Sequence, residues 1–575
     1  MQKINLTKIS LVRRAGLTLA VAFISLRCAN QLPPQGGEPD TVPPTIVELY
    51  PENRTTNFTD DYFEVQFSEY VDKRTFKDAI FISPPIDGNL KVSWTNRYAR
   101  VWFPSALKQN VTYSITIGTD VTDYNNRNRM DSSYTFAFST GSKIDNGKIE
   151  GMVTDEKPSG TMLFAYKFEA DTVDPSKHKP DYISQAGTTG YYKLDFLAPG
   201  KYRIFAVRDE YRDRIFQPEQ DFIGMPQKDI ILSETDSSYF GLNFQLQKID
   251  TIPPKLFSAL MTDRHHILLT FSEEPDTSSY KKDNFTFVDS NYKFISSPLF
   301  VYKGKTKENE LVLIADTLFK QDNNYFLLSR PLKDLKGNIS SVDTVPVTLS
   351  EKPDSLQTTI YYTLPNQNSM DVDYAFPCFV FKFEDAIDML GGADSLPSLI
   401  EFSDTSKNKI KFDFVKLDDA SFKITAAEEL KPETNYRIRF KGTGLRDAAG
   451  NRFRDSLYNY TFKTITGLEF TGLSGVVKYV DSTQNPLLIL RNKDIPSLVY
   501  KQKVKSDNTF SFERVTPGTY FLTCLLDAND NGEIDPGFPF PFVPAEAFSN
   551  FREEIKLPAR WSVTNFTFIF NERIL

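Results

Sequence analysis

Cysteine and histidine are both scarce in this chain, three of each among 575 residues. Three thiols, Cys28, Cys378 and Cys524, are too few for the disulfide lattice that staples small secreted domains. Cys378 (in Phe376-Pro-Cys-Phe-Val) and Cys524 (in Phe521-Leu-Thr-Cys-Leu-Leu) sit in apolar strand-like runs, which predicts two buried free thiols acting as small hydrophobes. Of the histidines, His178 falls in a charged loop. His265 and His266 stand where a turn enters a strand, and neighbouring strand residues face opposite ways, so the pair is not expected to share one metal ion. Catalytic signatures are missing as well: no Gly-x-Ser-x-Gly, no His-Glu-x-x-His, no phosphate-cradling glycine loop and no dinucleotide fingerprint. Paired carboxylates do occur (Asp60-Asp61, Glu273-Glu274, Asp418-Asp419, Glu428-Glu429), but in strand proteins they read as solvated turns. No enzyme is expected, with a hidden Asp/Glu hydrolase kept as an alternative. No basic stripe interleaved with aromatics appears, and the net charge is -8, so nucleic acid is not an expected partner.

What the chain does have is aromatic and β-branched material. Phe (48) and Tyr (27) dominate the aromatics, and Pro (34) outnumbers Gly (27). Such residues suit pleated half-buried strands, with proline at turns and edges. A chain this long exceeds a single core, and roughly 100–150 residues per domain suggests about four to six units.

The first 27 residues carry Lys3, Lys8, Arg13, Arg14 and Arg27 and no acid, so the remainder is more acidic than the whole. Residues 15–26 form a run of twelve uncharged, mostly apolar residues. That length suits a signal-peptide core, since a spanning helix needs about 20. Cys28 follows at once, then a polar, Pro/Gly-rich stretch to Asp40. This arrangement resembles a bacterial lipobox, with Arg27 where that motif carries a small residue. The resemblance implies cleavage before Cys28 and its diacylation, hence a membrane held through a lipid anchor. Bacterial surface lipoproteins of this kind tend to carry acidic residues directly after the cysteine, so with Ala29-Asn-Gln in that place the resemblance implies the periplasmic face of the outer membrane rather than the cell surface.

Internal repeats divide the rest. One unit opens with a proline pair (Val42-Pro-Pro, Ile252-Pro-Pro) and continues through Phe67-Ser-Glu or Phe271-Ser-Glu. It ends in an Asp-rich turn (Asp123-Tyr-Asn-Asn, Asp334-Leu-Lys-Gly-Asn, Asp447-Ala-Ala-Gly-Asn), a third copy being recognisable from Phe379 onward. Gly and Asn tolerate positive φ there, and Asp bonds its own backbone. A second unit aligns at a constant offset: Gly190-Tyr-Tyr-Lys-Leu-Asp-Phe-Leu-Ala-Pro-Gly-Lys-Tyr202 with Asn508-Thr-Phe-Ser-Phe-Glu-Arg-Val-Thr-Pro-Gly-Thr-Tyr520. Both kinds alternate apolar and polar with period two, which predicts an all-β protein of tandem β-sandwich modules.

The first unit resembles the bacterial Ig-like module, and the second resembles the transthyretin-like or carboxypeptidase-regulatory-like sandwich. Together they look like the Ig-like domain lipoproteins of Bacteroidota. The expected order is a signal peptide (1–27), tether (28–41), Ig-like (42–142), transthyretin-like (146–248), Ig-like (251–350), Ig-like (355–466) and transthyretin-like (468–575). The resemblance implies a non-enzymatic envelope lipoprotein acting as spacer and binding scaffold, within an outer-membrane assembly. A glycan- or peptide-capturing surface protein is the second reading. Short spacers at 142–146, 247–251 and 464–467 predict an extended row of limited flexibility.

Two loops stand out near the C-terminus. Asp527-Ala-Asn-Asp-Asn-Gly-Glu-Ile-Asp535 places oxygen side chains at Asp527, Asn529, Asn531 and Asp535 with Gly532 at the bend, a spacing suited to Ca²⁺. Its twelfth position is Phe538 rather than a bidentate Glu, and Glu546 is the candidate to complete it. Phe538, Phe540 and Phe542 then form the most concentrated apolar loop in the chain, read as a partner-docking patch for an envelope protein or glycan, or as a lid over its own sandwich.

Overall fold

The computed structural model describes residues 40–571 apart from 171, 317, 355–356 and 390–392. The signal segment, Cys28 and nearly all of the tether lie outside the described residues. Two compact units are present, one ending at Ile144 and the other beginning at Asp145. Among the described residues no helix is long and apolar enough to cross a membrane.

In the first unit, Tyr62–Phe67 shows how the alternating pattern becomes a sandwich. Phe63, Val65 and Phe67 are fully buried, while Tyr62, Glu64 and Gln66 lie on the other, wetter face. That strand sits between Ile46–Tyr50 and Tyr98–Trp102, with Lys91–Thr95 beyond. The facing sheet runs Ile80–Ser83, Thr112–Ile117, Tyr134–Ser139, and the two inner faces share one core. A short helix, Lys73–Asp78, starts where the Asp72 side chain accepts the Arg74 N–H, and it delivers Phe76 to that core.

The second unit repeats this layout twice. Leu256–Met261, His266–Phe271, Glu310–Ala315 and Pro298–Tyr302 stand in the same order, as do Ile360–Leu364, Cys378–Phe383, Ser421–Ala426 and Phe412–Asp418. In the first of these the facing sheet is continuous with it, because Asp343–Thr348 pairs with Tyr325–Ser329 on one side and, in parallel, with Leu256–Met261 on the other. The chain is thus all-β, built of tandem β-sandwiches.

A different sandwich occurs at each end of this unit, and the two copies share the pairing of their central strands. Gly147–Thr154 lies between antiparallel Tyr191–Leu197 and parallel Ser238–Phe240. Thr471–Lys478 lies likewise between antiparallel Thr509–Val515 and parallel Val563–Ile569. The opposite sheets centre on the long strands Gly200–Arg208 and Gly518–Leu526.

The row expected from the short spacers does not extend within this unit. The last sandwich folds back onto the first one of the unit: Ala545 N–H donates to Pro226 O (3.1 Å), and Asn243 Nδ2 donates to Phe548 O (2.9 Å) and Asn571 Oδ1 (3.1 Å). Asn550 Nδ2 reaches Thr154 Oγ1 at 2.9 Å. The last sandwich is also joined to the one before it, with the Arg514 guanidinium 4.1 Å from the Tyr374 ring and ion-paired to Asp373. Spacer length limits the reach of neighbours only; it does not say whether the ends of a four-sandwich run meet.

Cys524 is buried and Cys378 is exposed; both are free. Cys378 opens its strand on the outward register, so the apolar run around it misreads the side of the sheet that this thiol occupies.

Candidate functional site

A concentrated group of polar side chains lies between residues 262 and 451, where the second and third sandwiches of the repeated layout meet. Asp263 closes the hairpin after Leu256–Met261, its Oδ1 accepting the backbone N–H groups of His265 and His266 (both 2.9 Å). This turn presents the His266 ring at the first position of its strand. His266 Nδ1 lies 2.9 Å from Asp263 Oδ1, and Nε2 lies 2.9 Å from Asp385 Oδ1 in the next sandwich. Ionised carboxylates only accept, so in this arrangement both ring nitrogens donate and the ring is an imidazolium. Burial works against that charge, but the hydrogen bonds to Asp263 and Asp385 outweigh it and raise the His266 pKa to about 10. On Asp263, burial acts upward, and the His266 contacts prevail and bring it down to about 2.

Asp385 is also held by the Tyr302 hydroxyl (2.7 Å) and by the Ala386 N–H (2.6 Å). Asp354, in the linker between the sandwiches, completes the group: one ligand atom each of His266, Asp354 and Asp385 lie within 4.8 Å of one another. They line an open cleft of about 590 Å³ that also includes Thr262, Lys305 and Glu384. Beneath them Asp447 is fully buried. Its Oδ1 accepts from Ala449 N (3.1 Å) and Asn451 N (2.7 Å), whereas its Oδ2 is buried without a hydrogen-bond partner. Burial, with Asp385 and Asp354 adding, pushes Asp447 up to about 6 against the pull of the Asn451 backbone.

The same three positions recur in the other Ig-like sandwiches. In each, an aspartate of the repeated turn takes backbone N–H groups: Asp123 from Asn126 and Arg127, Asp334 from Lys336 and Asn338, Asp447 from Ala449 and Asn451. The asparagine that closes the turn then donates its amide to the incoming linker: Asn128 to Asp40 O (2.9 Å), Asn338 to Asp250 O (3.1 Å), Asn451 to Asp354 Oδ2 (3.0 Å). The repeated Asp…Asn turn therefore staples each linker to its own sandwich. The residue after the Phe-Ser or Phe-Glu pair completes an acidic group with the linker and turn aspartates. Asp250, Glu273 and Asp334 bring ligand oxygens within 4.8 Å, and Glu69 is raised by burial and by Asp123 and Asp40.

Sequence reading passed over His266, treating the histidine pair only as a shared ligand set. The usable signal was Asp263, two and three residues ahead, in the turn-forming position. Asp418-Asp419 is no solvated turn either: Asp419 Oδ2 accepts Val301 N (2.8 Å) and Asp418 Oδ2 accepts Lys303 N (3.2 Å), both from the preceding sandwich.

The Asp527 loop is brought together and closed by its own hydrogen bonds. Asp527 is buried and accepts from Asn531 N (3.1 Å) and Gly532 N (2.8 Å). Asp535 accepts the side-chain amides of Asn529 (2.5 Å) and Asn531 (3.1 Å), and Glu546 does reach in, taking Ala528 N (2.7 Å) and Asp535 N (3.2 Å). In the adjoining loop, Phe542 lies over the Arg203 guanidinium at 3.6 Å and edge-on to Phe205, and Lys177 stands 5.6 Å from the Phe540 ring. Phe538 and Phe540 remain 36% and 44% exposed. Phe542 and Phe540 thus touch residues of another sandwich of the same chain.

Residues 40–140 and 354–464 each match the family model described as a bacterial Ig-like domain, so the chain carries an Ig-like domain in each of these two stretches. No curated protein matches. Among solved structures, the N-terminal part of the bacterial S-layer protein SbsC is 17% identical over 37% of this chain and 44% of its own, with a TM-score of 0.16. The chain thus spans less than half the length of that structure. Sidekick-1 immunoglobulin domains 1–4 are 9% identical over 73% of this chain and 95% of theirs (TM-score 0.20). The MG0-NIE-MG1 domains of native alpha-2-macroglobulin from Escherichia coli are 10% identical over 49% of this chain and 95% of theirs (TM-score 0.16).

Proposed function

We propose that the chain is an exported, lipid-anchored and non-enzymatic scaffold of the bacterial cell envelope, attached through Cys28 and working within an outer-membrane assembly. The observation that carries this reading is the repeated stapling of linker to sandwich by Asn128, Asn338 and Asn451. Each staple spends its polar groups on fixing one module against the chain entering it, which is what a load-bearing or presenting framework requires. The acyl chain at Cys28 supplies membrane attachment, and the Bacteroidota lipoprotein and transthyretin-like assignments belong to the same reading. A calcium ion in the Asp527 loop fits it too, with Asp527, Asp535 and Glu546 as the charged ligands and the Asn529 and Asn531 amides turning from Asp535 to present their oxygens.

Metabolic labelling with an alkynyl fatty acid tests the anchor. Label is expected on the parent and absent from Cys28→Ala; an unlabelled parent rejects lipid anchoring. A crosslinked pull-down from native outer membranes tests the assembly, with a defined β-barrel or transport complex expected and recovery of lipid alone counting against it.

A second reading, glycan capture, draws on one feature of the first unit. Tyr62 and Trp102 are cross-strand partners on the outer sheet face, Tyr50 stacks on Tyr62 (5.4 Å), and Arg100 lies over Tyr62 (4.6 Å). Such an aromatic row suits sugar rings, and a glycan array probed with the full chain and with Trp102→Ala decides it.

A further inference from the structure

We propose that the cleft between the two joined Ig-like sandwiches is a divalent transition-metal site, with His266 Nε2 and the carboxylates of Asp354 and Asp385 as ligands and Asp263 as the residue that positions the imidazole. Three observations converge on it. Ligand atoms from three chain segments (a strand start, a linker and a strand end) already lie within 4.8 Å of one another. His266 Nδ1 is engaged by Asp263 at 2.9 Å, the carboxylate–histidine arrangement that fixes a metal-ligating ring and its tautomer. Asp447, fully buried below and beside Asp354 and Asp385, holds Oδ2 with no hydrogen-bond partner, a polar atom left for a further ligand to satisfy.

Charge balance points the same way. The cleft carries Asp263, Asp354, Glu384 and Asp385 with Asp447 buried beneath, while Lys305 and Lys307 are exposed and Lys307 pairs with Glu310. A partly buried cluster of carboxylates is costly unless cations compensate it. A divalent ion on Nε2 displaces the proton that this nitrogen otherwise shares with Asp385, while Nδ1–H stays on Asp263; the released proton passes to solvent. Mixed imidazole and carboxylate donors suit Zn²⁺ or Mn²⁺ better than Ca²⁺, which prefers oxygen alone. The equivalent positions of the preceding sandwich, Asp250, Glu273 and Asp334, carry no imidazole. The metal would tie one sandwich to the next at the point where the linker passes between them.

The test uses the full chain without a histidine tag, extracted in detergent and stripped with chelator. Zn²⁺ is titrated by calorimetry in buffers of different ionisation enthalpy, and Co²⁺ is followed by its visible absorption. The expected result is one equivalent lost in both His266→Gln and Asp354→Asn, with buffer-dependent heat marking the displaced proton. Asp263→Asn is expected to weaken binding about 10–100-fold. Asp354 belongs to the linker rather than a core, so Asp354→Asn keeps the test valid if the His266 variant unfolds. The Asp527 loop is kept apart by Asp527→Asn, which leaves this equivalent intact. No Zn²⁺ or Co²⁺ uptake by the parent, or retention of the equivalent by folded His266→Gln or Asp354→Asn, overturns the site.

Discussion

The Arg203 guanidinium lies 3.6 Å from the centre of the Phe542 ring, although the two residues belong to sandwiches at opposite ends of the second unit. Arg203 is 2% exposed, and its fork is held by Asp229 through Nε (2.8 Å) and Nη2 (2.9 Å), so the cation is fixed before Phe542 covers it. A desolvated, pre-positioned cation–π contact is worth up to about 2 kcal/mol, well above an exposed one.

Phe542→Ala is therefore expected to lower stability by about 2 kcal/mol and to speed cleavage in the 536–547 segment by proteinase K, whose broad specificity does not depend on the Phe542 side chain. Urea unfolding and timed proteolysis report the two effects. Phe538→Ala, at a position that is 36% exposed, serves as the near-neutral control. Equal effects from both variants would mean that the contact with Arg203 contributes nothing particular.

Phe542 also marks where sequence reading stops. The period-two alternation around Phe63, Val65 and Phe67 encodes which face is buried, because register and side-chain direction are local properties. The matched hairpins at Tyr202 and Tyr520 were legible for the same reason. The partner of a Phe-rich loop is a matter of global packing, and no local pattern points from Phe542 to Arg203. His266 failed differently: its strand position was read correctly, but its meaning depends on Asp385, 119 residues later.

Thiol chemistry separates the two described cysteines. Cys378 is exposed, while burial pushes the Cys524 thiol up to about 12. In the Cys28→Ala chain, one thiol is expected to react with Ellman's reagent at once under native conditions and the second only on unfolding. Prompt reaction of both would contradict the packing around Cys524.

Glu273 predicts a pH effect of definite sign. Burial, helped by Asp250 and Asp334, raises its pKa from 4.5 to about 7. The folded state then binds more protons than the unfolded state between these values, so this group's contribution to stability declines as pH rises from 4.5 to 7 and levels off above. Glu273→Gln is expected to remove that decline, making the variant progressively more stable than the parent across this window. Unfolding midpoints at three pH values give the difference directly. A constant offset between the two proteins would place the carboxylate in ordinary solvent.

The duplicated sandwiches offer a paired test of equivalence. Gly151 and Gly475 occupy the same place in their opening strands, and a Cβ on either would fall 1.9 Å from a carbonyl oxygen, Leu242 O in one and Phe566 O in the other. Neither needs a left-handed backbone, so the constraint is close approach of a parallel neighbour rather than φ. Backbone cannot yield as a side-chain tip does, and Gly→Ala at each position is expected to cost about 1–3 kcal/mol by forcing the strands apart. Because the two sites lie in separate cores, their costs should add in the double variant to within about 0.5 kcal/mol. Additivity would show that the sandwiches resist the same insult independently. A double variant far less stable than the sum would instead show that the two sites are energetically coupled through the contacts from Asn243 and Asn550.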